Sequence, residues 1–157
     1  MLFYRMQEVY KGIYKQVVEL PDTPLRELNL YIVHSEGEAL VIDTGFPTED
    51  CLQAFRSSLS TLDIDIHNTR LFVTHGHADH CGLCATLQHE LKEIYMGENE
   101  AREMIRMSKV PRRMEIMLHA LDLEKYLVND GQISDKFQFF MDFNYTPVNE
   151  GNTIKVG

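Results

Sequence analysis

Six consecutive residues restrict what this chain can fold into more than any other feature. Residues 75–80 read H-G-H-A-D-H, and four of the six side chains can bind a transition metal: His75, His77, Asp79 and His80. On an α-helix, residues two apart point about 200° away from each other, so His75 and His77 would not meet there. On an extended or irregular backbone, side chains two apart face the same way. The spacing therefore predicts a loop that holds one or two metal ions.

The sequence before the motif predicts where this loop lies. Residues 70–74 form a short apolar run typical of a buried strand, and they lead directly into His75. In α/β folds, functional sites gather at the carboxyl ends of such strands. Upstream, residue alternation predicts strands at 12–18, 28–34 and 38–43, and the last two form a hairpin. Thr48 is then the predicted N-cap of a helix of about three turns.

The sequence after the motif predicts a change of structure. A helix over residues 83–92 and a strand over 93–96 complete a β-loop-α-β unit. Residues 98–142 have a mostly helical period, with one more helix predicted around Ile133, Phe137 and Phe140. The segment 144–156 is predicted to form a hairpin of two strands, 144–148 and 153–156.

Composition and charge exclude several classes of protein. The chain has 157 residues, 44% of them hydrophobic and 25% charged, which is typical of one globular domain. No run approaches the ~18 apolar residues that span a bilayer, and charge appears too early at the N-terminus for a signal peptide. A net charge of −9 opposes binding to nucleic acid. We expect a protein without membrane or nucleic-acid partners.

The three cysteines have no spacing typical of a disulfide framework, which indicates a reducing compartment and a cytoplasmic location. Cys81 and Cys84 form a C-x-x-C pair. Because a partner pair for zinc is missing, we interpret both as small buried residues at the start of a helix.

The His75-Gly76-His77-Ala78-Asp79-His80 motif, together with Val41-Ile42-Asp43-Thr44-Gly45 at the end of a strand, resembles the metallo-β-lactamase superfamily. The resemblance covers most of residues 28–96 and implies an α/β fold, an αββα sandwich with a metal site at one edge of the sheets. It also implies that His75 and His77 bind a first metal and that Asp79 and His80 bind a second. Asp43 would support the site without binding metal.

The resemblance also implies ligands that this sequence does not show. Further histidine and aspartate motifs should follow, and the 144–157 segment resembles the strand pair before the third motif. We therefore expect residues 1–157 to form a single, incomplete domain, the N-terminal part of a longer enzyme, with a helical insertion at about 98–142. Because a catalytic zinc normally has three protein ligands, metal binding by this chain should be weak or absent.

The chemistry expected of a complete site is hydrolysis. Zinc is the expected cofactor, one or two ions, although manganese and iron accept the same ligand types. The metal would lower the pKa of a bound water and polarise an ester, thioester, lactone, lactam or phosphodiester, while Asp79 orients the nucleophile and accepts its proton. Two alternatives remain open: a mononuclear-iron dioxygenase on the same scaffold, and a non-catalytic module that binds a ligand or partner.

Two expectations concern partners. Arg112 and Arg113 lie in the predicted helical insertion and would bind an anionic small-molecule substrate if they point at the metal edge; the simpler interpretation is a solvated helix face. An incomplete sandwich leaves apolar sheet surface uncovered, and association with an identical copy is a common remedy. We therefore expect a homo-oligomer with negligible hydrolase activity.

Overall fold

The computed structural model describes residues 5–20, 26–108, 127–128, 132–133 and 142–157. The strands are β1 (Arg5–Tyr10), β2 (Ile13–Leu20), β3 (Arg26–Ser35), β4 (Glu38–Ile42), β5 (Thr69–Val73), β6 (Glu93–Gly97), β7 (Leu127–Val128), β8 (Gln132–Ile133) and β9 (Thr146–Val148). The helices are α1 (Glu49–Thr61), α2 (Ala78–Cys81), α3 (Cys84–Leu87) and α4 (Glu98–Ser108).

Seven strands form one mixed sheet in the order β1-β2-β3-β4-β5-β6-β9. The first four are antiparallel neighbours, as tight turns allow, and β4, β5, β6 and β9 run parallel. The predicted β3–β4 hairpin is confirmed, and Glu36 and Gly37 in its turn both have positive φ. A second, two-stranded sheet pairs β7 with β8.

The predicted helix after β4 is also confirmed. Thr48 is its N-cap, and its hydroxyl accepts a hydrogen bond from the backbone N–H of Cys51 at 3.4 Å. Glu49 and Asp50 lie in the first turn, where negative charge favours the helix dipole. Phe55 is buried, so α1 packs its apolar face on the sheet.

One face of the large sheet carries the core. Alternate residues of the central strands are buried on that face, because successive side chains of a strand point to opposite sides. They form one cluster with buried residues of α1, α2, α3 and α4. Members from the strands are Val18, Leu20, Leu30, Ile32, Ala39, Val41, Leu71, Val73, Ile94 and Met96.

The opposite face of the sheet presents an apolar row across four strands. Strand register places Tyr31 opposite Ile42, Ile42 beside Phe72, and Phe72 beside Tyr95. Paired residues share a face of the sheet, so these four side chains lie side by side. Tyr31 is 37% exposed and the other three are partly buried.

Several sequence-based predictions need correction. The helix predicted over 83–92 is limited to α3, which has four residues. Ile133 lies in a strand, where it pairs with Leu127. Phe137 and Phe140 lie outside the described residues. Strand β1 was not predicted at all.

The predicted hairpin over 144–156 is wrong. β9 forms, but it pairs in parallel with β6, and residues 153–156 are not a strand. Instead, the chain returns toward the β3–β4 hairpin, where the backbone N–H of Gly157 donates to Glu38 at 3.4 Å. Within the range of the predicted helical insertion, the first eleven residues form α4, whereas β7 and β8 are short strands. No helix in the described ranges is long and apolar enough to cross a membrane.

Candidate metal centre

The carboxyl ends of two neighbouring parallel strands bring the candidate site together. β4 ends just before Asp43 and β5 ends just before Thr74, so both residues reach the same edge of the sheet. Asp43 has a φ of 66°, a left-handed conformation that aspartate adopts more readily than most residues. Its backbone N–H still donates to Phe72 on β5 at 3.0 Å. This turn directs the Asp43 carboxylate across to the neighbouring strand end.

The Asp43 carboxylate connects the strand end to the histidine cluster. It accepts hydrogen bonds from the backbone N–H and the hydroxyl of Thr74, each at 2.9 Å. Its Oδ2 also accepts from Nδ1 of His80 at 2.8 Å. Because Asp43 is only 5% exposed, this is a desolvated support for residues that could bind metal.

His75 and His77 present nitrogen atoms to each other. Nε2 of His75 lies 3.1 Å from Nδ1 of His77, and the ring centroids are 4.6 Å apart. The Thr74 hydroxyl lies 3.0 Å from Nδ1 of His75. Since that hydroxyl donates its proton to Asp43, it accepts one from Nδ1 of His75. This arrangement leaves a lone pair on Nε2 of His75, which is the state that binds a metal.

His80 lies between two carboxylates. Its Nδ1 contacts Asp43 and its Nε2 lies 3.2 Å from Oδ2 of Asp79, which is also buried. The rings of His75 and His80 are 3.9 Å apart, so all four predicted ligands lie in one cluster. Their contacts bring together the residues singled out from the sequence; their roles as ligands stay a prediction.

The local charges set the protonation of the cluster. Burial, and then the positive charges of His80 and His77, lower the pKa of His75, which favours its neutral form. Burial acts to lower the pKa of His80, but hydrogen bonds to Asp43 and Asp79 outweigh it and raise the pKa to about 9. Burial acts to raise the pKa of Asp79, yet its hydrogen bond with His80 leaves that pKa lowered. A metal bound at Nε2 of His80 would displace this proton, since a ligating imidazole is neutral.

The imidazole and carboxylate donors are of the type that binds a divalent transition metal, and the distance between the His75 and His77 donor atoms also suits one ion. Two ligands on one tetrahedral zinc are about 3.3 Å apart for bonds of ~2.05 Å, and the 3.1 Å separation of the His75 and His77 nitrogens is close to this value. Within the described ranges, however, no group of three or more His, Cys, Asp or Glu side chains is arranged to hold an ion. The described part of the chain therefore brings these donors together in pairs.

Sequence reasoning missed the residues that hold the motif in place. The Thr44 hydroxyl donates to the carbonyl of His80 at 2.9 Å and accepts from the N–H of Leu83 at 3.2 Å. Gly82 joins α2 to α3, where a Cβ atom would lie 2.3 Å from the carbonyl of Ala78. The D-T-G sequence at the end of β4 could have drawn attention to Thr44, but its hydrogen-bond partner, His80, is distant in sequence.

Two other sequence-based expectations concern the cysteine pair and the two arginines of the predicted insertion. Cys81 and Cys84 are fully buried, as predicted, and burial raises the pKa of both thiols, to about 12 for Cys81. Such thiols are unreactive, which agrees with the structural interpretation of the pair. Arg112 and Arg113 lie outside the described residues.

Comparison with known proteins identifies the family. The sequence profile of the metallo-β-lactamase superfamily matches residues 24–147, which include every residue of the histidine cluster. The chain belongs to the metallo-β-lactamase superfamily. Its seven-stranded sheet with few helices matches the fold of solved members, which confirms the predicted α/β class. Membership gives it the scaffold of a superfamily composed largely of metal-dependent hydrolases.

Solved structures share this metallo-β-lactamase fold over most of the chain. A metallo-β-lactamase family protein from Thermus thermophilus matches with a TM-score of 0.66 at 21% identity, over 95% of this chain and 50% of that one. A β-lactamase domain protein from Burkholderia ambifaria matches with a TM-score of 0.67 at 20% identity, over 97% and 46%. The chain spans about half the length of these two proteins.

A smaller part of the fold is shared with a metallo-β-lactamase from Pseudomonas aeruginosa that was solved in its mono-zinc form. That match has a TM-score of 0.53 at 19% identity and covers 67% of this chain and 46% of that one. No curated protein sequence matches the chain significantly.

Proposed function

We propose that this chain carries the first half of the metal site of a metal-dependent hydrolase. The observation that supports the proposal most is the pairing of His75 with His77 and of Asp79 with His80 at one strand edge. The first pair would hold one zinc ion and the second pair another. When bound, zinc lowers the pKa of a coordinated water to about 7 and so supplies a nucleophile at neutral pH.

The protein side chains would prepare the site for this chemistry. Asp43 fixes the His80 ring through Nδ1 and so directs Nε2 toward a metal. Thr74 performs the same role for His75. Asp79 is ionised and buried, so it can orient a nucleophilic water and accept its proton. Substrates of this class are esters, thioesters, lactones, lactams and phosphodiesters.

We propose that the remaining ligands come from outside the described residues, because the matched structures are about twice as long. Two donors per ion hold zinc weakly, so the 157-residue chain by itself should have negligible hydrolase activity. The small-molecule substrate, a cytoplasmic location and the absence of membrane and nucleic-acid partners belong to the same proposal. The three cysteines, all free and buried, support a reducing compartment.

Replacing one ligand tests the proposal. In His77→Ala, binding of Zn²⁺ by the 157-residue chain should fall at least tenfold below the wild type, while its circular dichroism stays unchanged because His77 is exposed. The matched control is His89→Ala, an exposed histidine outside the cluster. Isothermal titration with Zn²⁺ gives the dissociation constants.

Two results would contradict the proposal. One is equal Zn²⁺ affinity in His77→Ala and the wild type. The other is hydrolysis, in a protein with the complete ligand set, that persists after His77→Ala with metal still bound in stoichiometric amount. Native metal content that is iron, with turnover only in the presence of oxygen, would favour the dioxygenase. Full metal occupancy without turnover on an ester, lactam and phosphodiester panel would favour a binding module.

A further inference from the structure

Gly76 lies between the two paired histidines and faces helix α4. A Cβ atom at this position would lie 3.1 Å from both Cβ and Cγ of Met104 and 3.4 Å from its Sδ. Non-bonded carbon atoms prefer separations of about 3.5–4.0 Å, so any side chain here would push the loop and the helix apart. The φ of Gly76 is not positive. Space, rather than backbone conformation, therefore favours glycine at this position.

Met104 is held firmly on its own helix. It is 6% exposed, and Ala101, three residues earlier on the same helical face, is 1% exposed. Both belong to the same hydrophobic cluster as Val73 and Met96, the last buried residues of β5 and β6. The Met104 side chain is therefore a buried part of the core, and the loop packs against it.

The contact with Met104 differs in kind from the contacts within the cluster. Hydrogen bonds among Thr74, His75 and His77 fix these side chains relative to one another. The packing of Gly76 on Met104 instead relates the backbone of the loop to α4 and the sheet. A shift of the loop by a few tenths of an ångström would move both histidines relative to Asp79 and His80.

We infer that Met104 is a positioning residue, whose packing on Gly76 sets the loop so that Nε2 of His75 and Nδ1 of His77 meet on one metal ion. This inference rests on the proposed metal-binding function. It gives α4 the role of placing the backbone of the histidine loop relative to the sheet. Met104 itself touches neither metal nor substrate.

Substitution of the glycine tests the contact directly. In Gly76→Ala, the dissociation constant for Co²⁺, followed by its visible absorption in the 157-residue chain, should rise about 10- to 100-fold, as loss of supporting contacts does in metal sites. Gly97→Ala is the matched control, because Gly97 ends the neighbouring strand and its Cβ would meet only Glu100, at 4.0 Å. Equal affinities in the two variants would overturn the inference.

Substitution of the methionine tests the other partner. Met104→Leu keeps the Cβ and Cγ atoms that touch Gly76 and should keep Co²⁺ affinity, whereas Met104→Ala should weaken it. The Gly76→Ala, Met104→Ala double variant should recover part of the affinity lost in Gly76→Ala, because two of the three close contacts are gone. Leu59→Ala, a buried residue of α1, controls for general destabilisation. If Leu59→Ala weakens Co²⁺ binding as much as Met104→Ala does, Met104 has no positioning role.

A measurement without metal separates this inference from the proposed function. In metal-free protein, the imidazole ¹⁵N resonances of His75 and His77 should shift in Gly76→Ala and not in Gly97→Ala. If neither the wild-type chain nor a protein with the complete ligand set binds Co²⁺, the proposed function fails, while these shifts still decide the positioning contact. Unchanged resonances in Gly76→Ala would overturn the inference even if the wild type binds metal.

Discussion

At the scale of single residues, Thr74 and Asp43 show how a site depends on groups that do not bind the metal. The Thr74 hydroxyl has one proton and lies 2.9 Å from each Asp43 oxygen, so it donates to the carboxylate and is left free to accept from His75. A valine of similar shape would offer neither interaction. The hydroxyl therefore links the carboxylate to a histidine that Asp43 does not itself contact.

The Thr74→Val variant should lose metal affinity. We expect its Zn²⁺ dissociation constant to rise about 10- to 100-fold, the usual effect of losing a group that orients a ligand. Thr74→Ser keeps the hydroxyl and should stay close to the wild type. Competition with a chromogenic chelator measures both. Similar constants for the serine and valine variants would show that the hydroxyl does not orient His75.

At the scale of elements, Glu38 ties together the amino ends of the parallel strands, opposite the metal edge. Its carboxylate, at the start of β4, accepts from Arg70 of β5 at 2.6 Å and also from Lys92, just before β6. These hydrogen bonds, that from Lys92 first and that from Arg70 next, lower the pKa of Glu38 to about 2. The group is thus more acidic in the folded chain than in the unfolded one.

This lowered pKa predicts a pH-dependent contribution to stability. A depressed carboxyl pKa stabilises the fold fully above the ordinary value of 4.5, and that contribution disappears as the pH falls toward about 2. Urea unfolding should therefore show the wild type more stable than Glu38→Gln at pH 6, with the difference shrinking below pH 4.5. In a Lys92→Met background the difference at pH 6 should be smaller. A difference that does not change with pH would contradict this assignment.

At the scale of the whole molecule, the two faces of the large sheet are unequal. One face carries the core beneath the helices, whereas the other presents the apolar row formed by Tyr31, Ile42, Phe72 and Tyr95. Apolar surface of this kind favours association. The predicted homo-oligomer stays a prediction, and the apolar row is the surface through which we expect a second copy to bind.

Light scattering tests this surface. We expect the purified 157-residue chain to have the mass of a dimer at micromolar concentration. The dimer fraction should rise at high salt, because a net charge of −9 makes copies repel each other and salt screens this repulsion. Tyr31→Glu should shift the mass toward the monomer. Tyr10→Glu, on a tyrosine that is 73% exposed and lies at the end of β1, is the control. A wild-type chain that is monomeric under these conditions would contradict the predicted dimer through this face.

Features that depend on neighbouring residues could be predicted from the sequence alone. The alternation in β3 and β4 with a short turn, the cap at Thr48 and the histidine motif directly after β5 all carry their information within a few positions. The motif named the residues of the cluster, and its resemblance to the superfamily implied the fold class. Periodicity failed around Ile133, because short apolar runs suit helices and strands alike, and it overestimated the length of the helix within residues 83–92.

Contacts between groups that are distant in sequence could be seen only in the folded chain. Asp43 and His80 are 37 residues apart, and Asp43 and Thr74 are 31 apart, so no local pattern shows their hydrogen bonds. The packing of Met104 on Gly76 and the parallel pairing of β9 with β6 also join residues that are far apart in sequence. Each arises because the sheet aligns strand ends in space, and that alignment depends on the burial of the whole core rather than on any one segment.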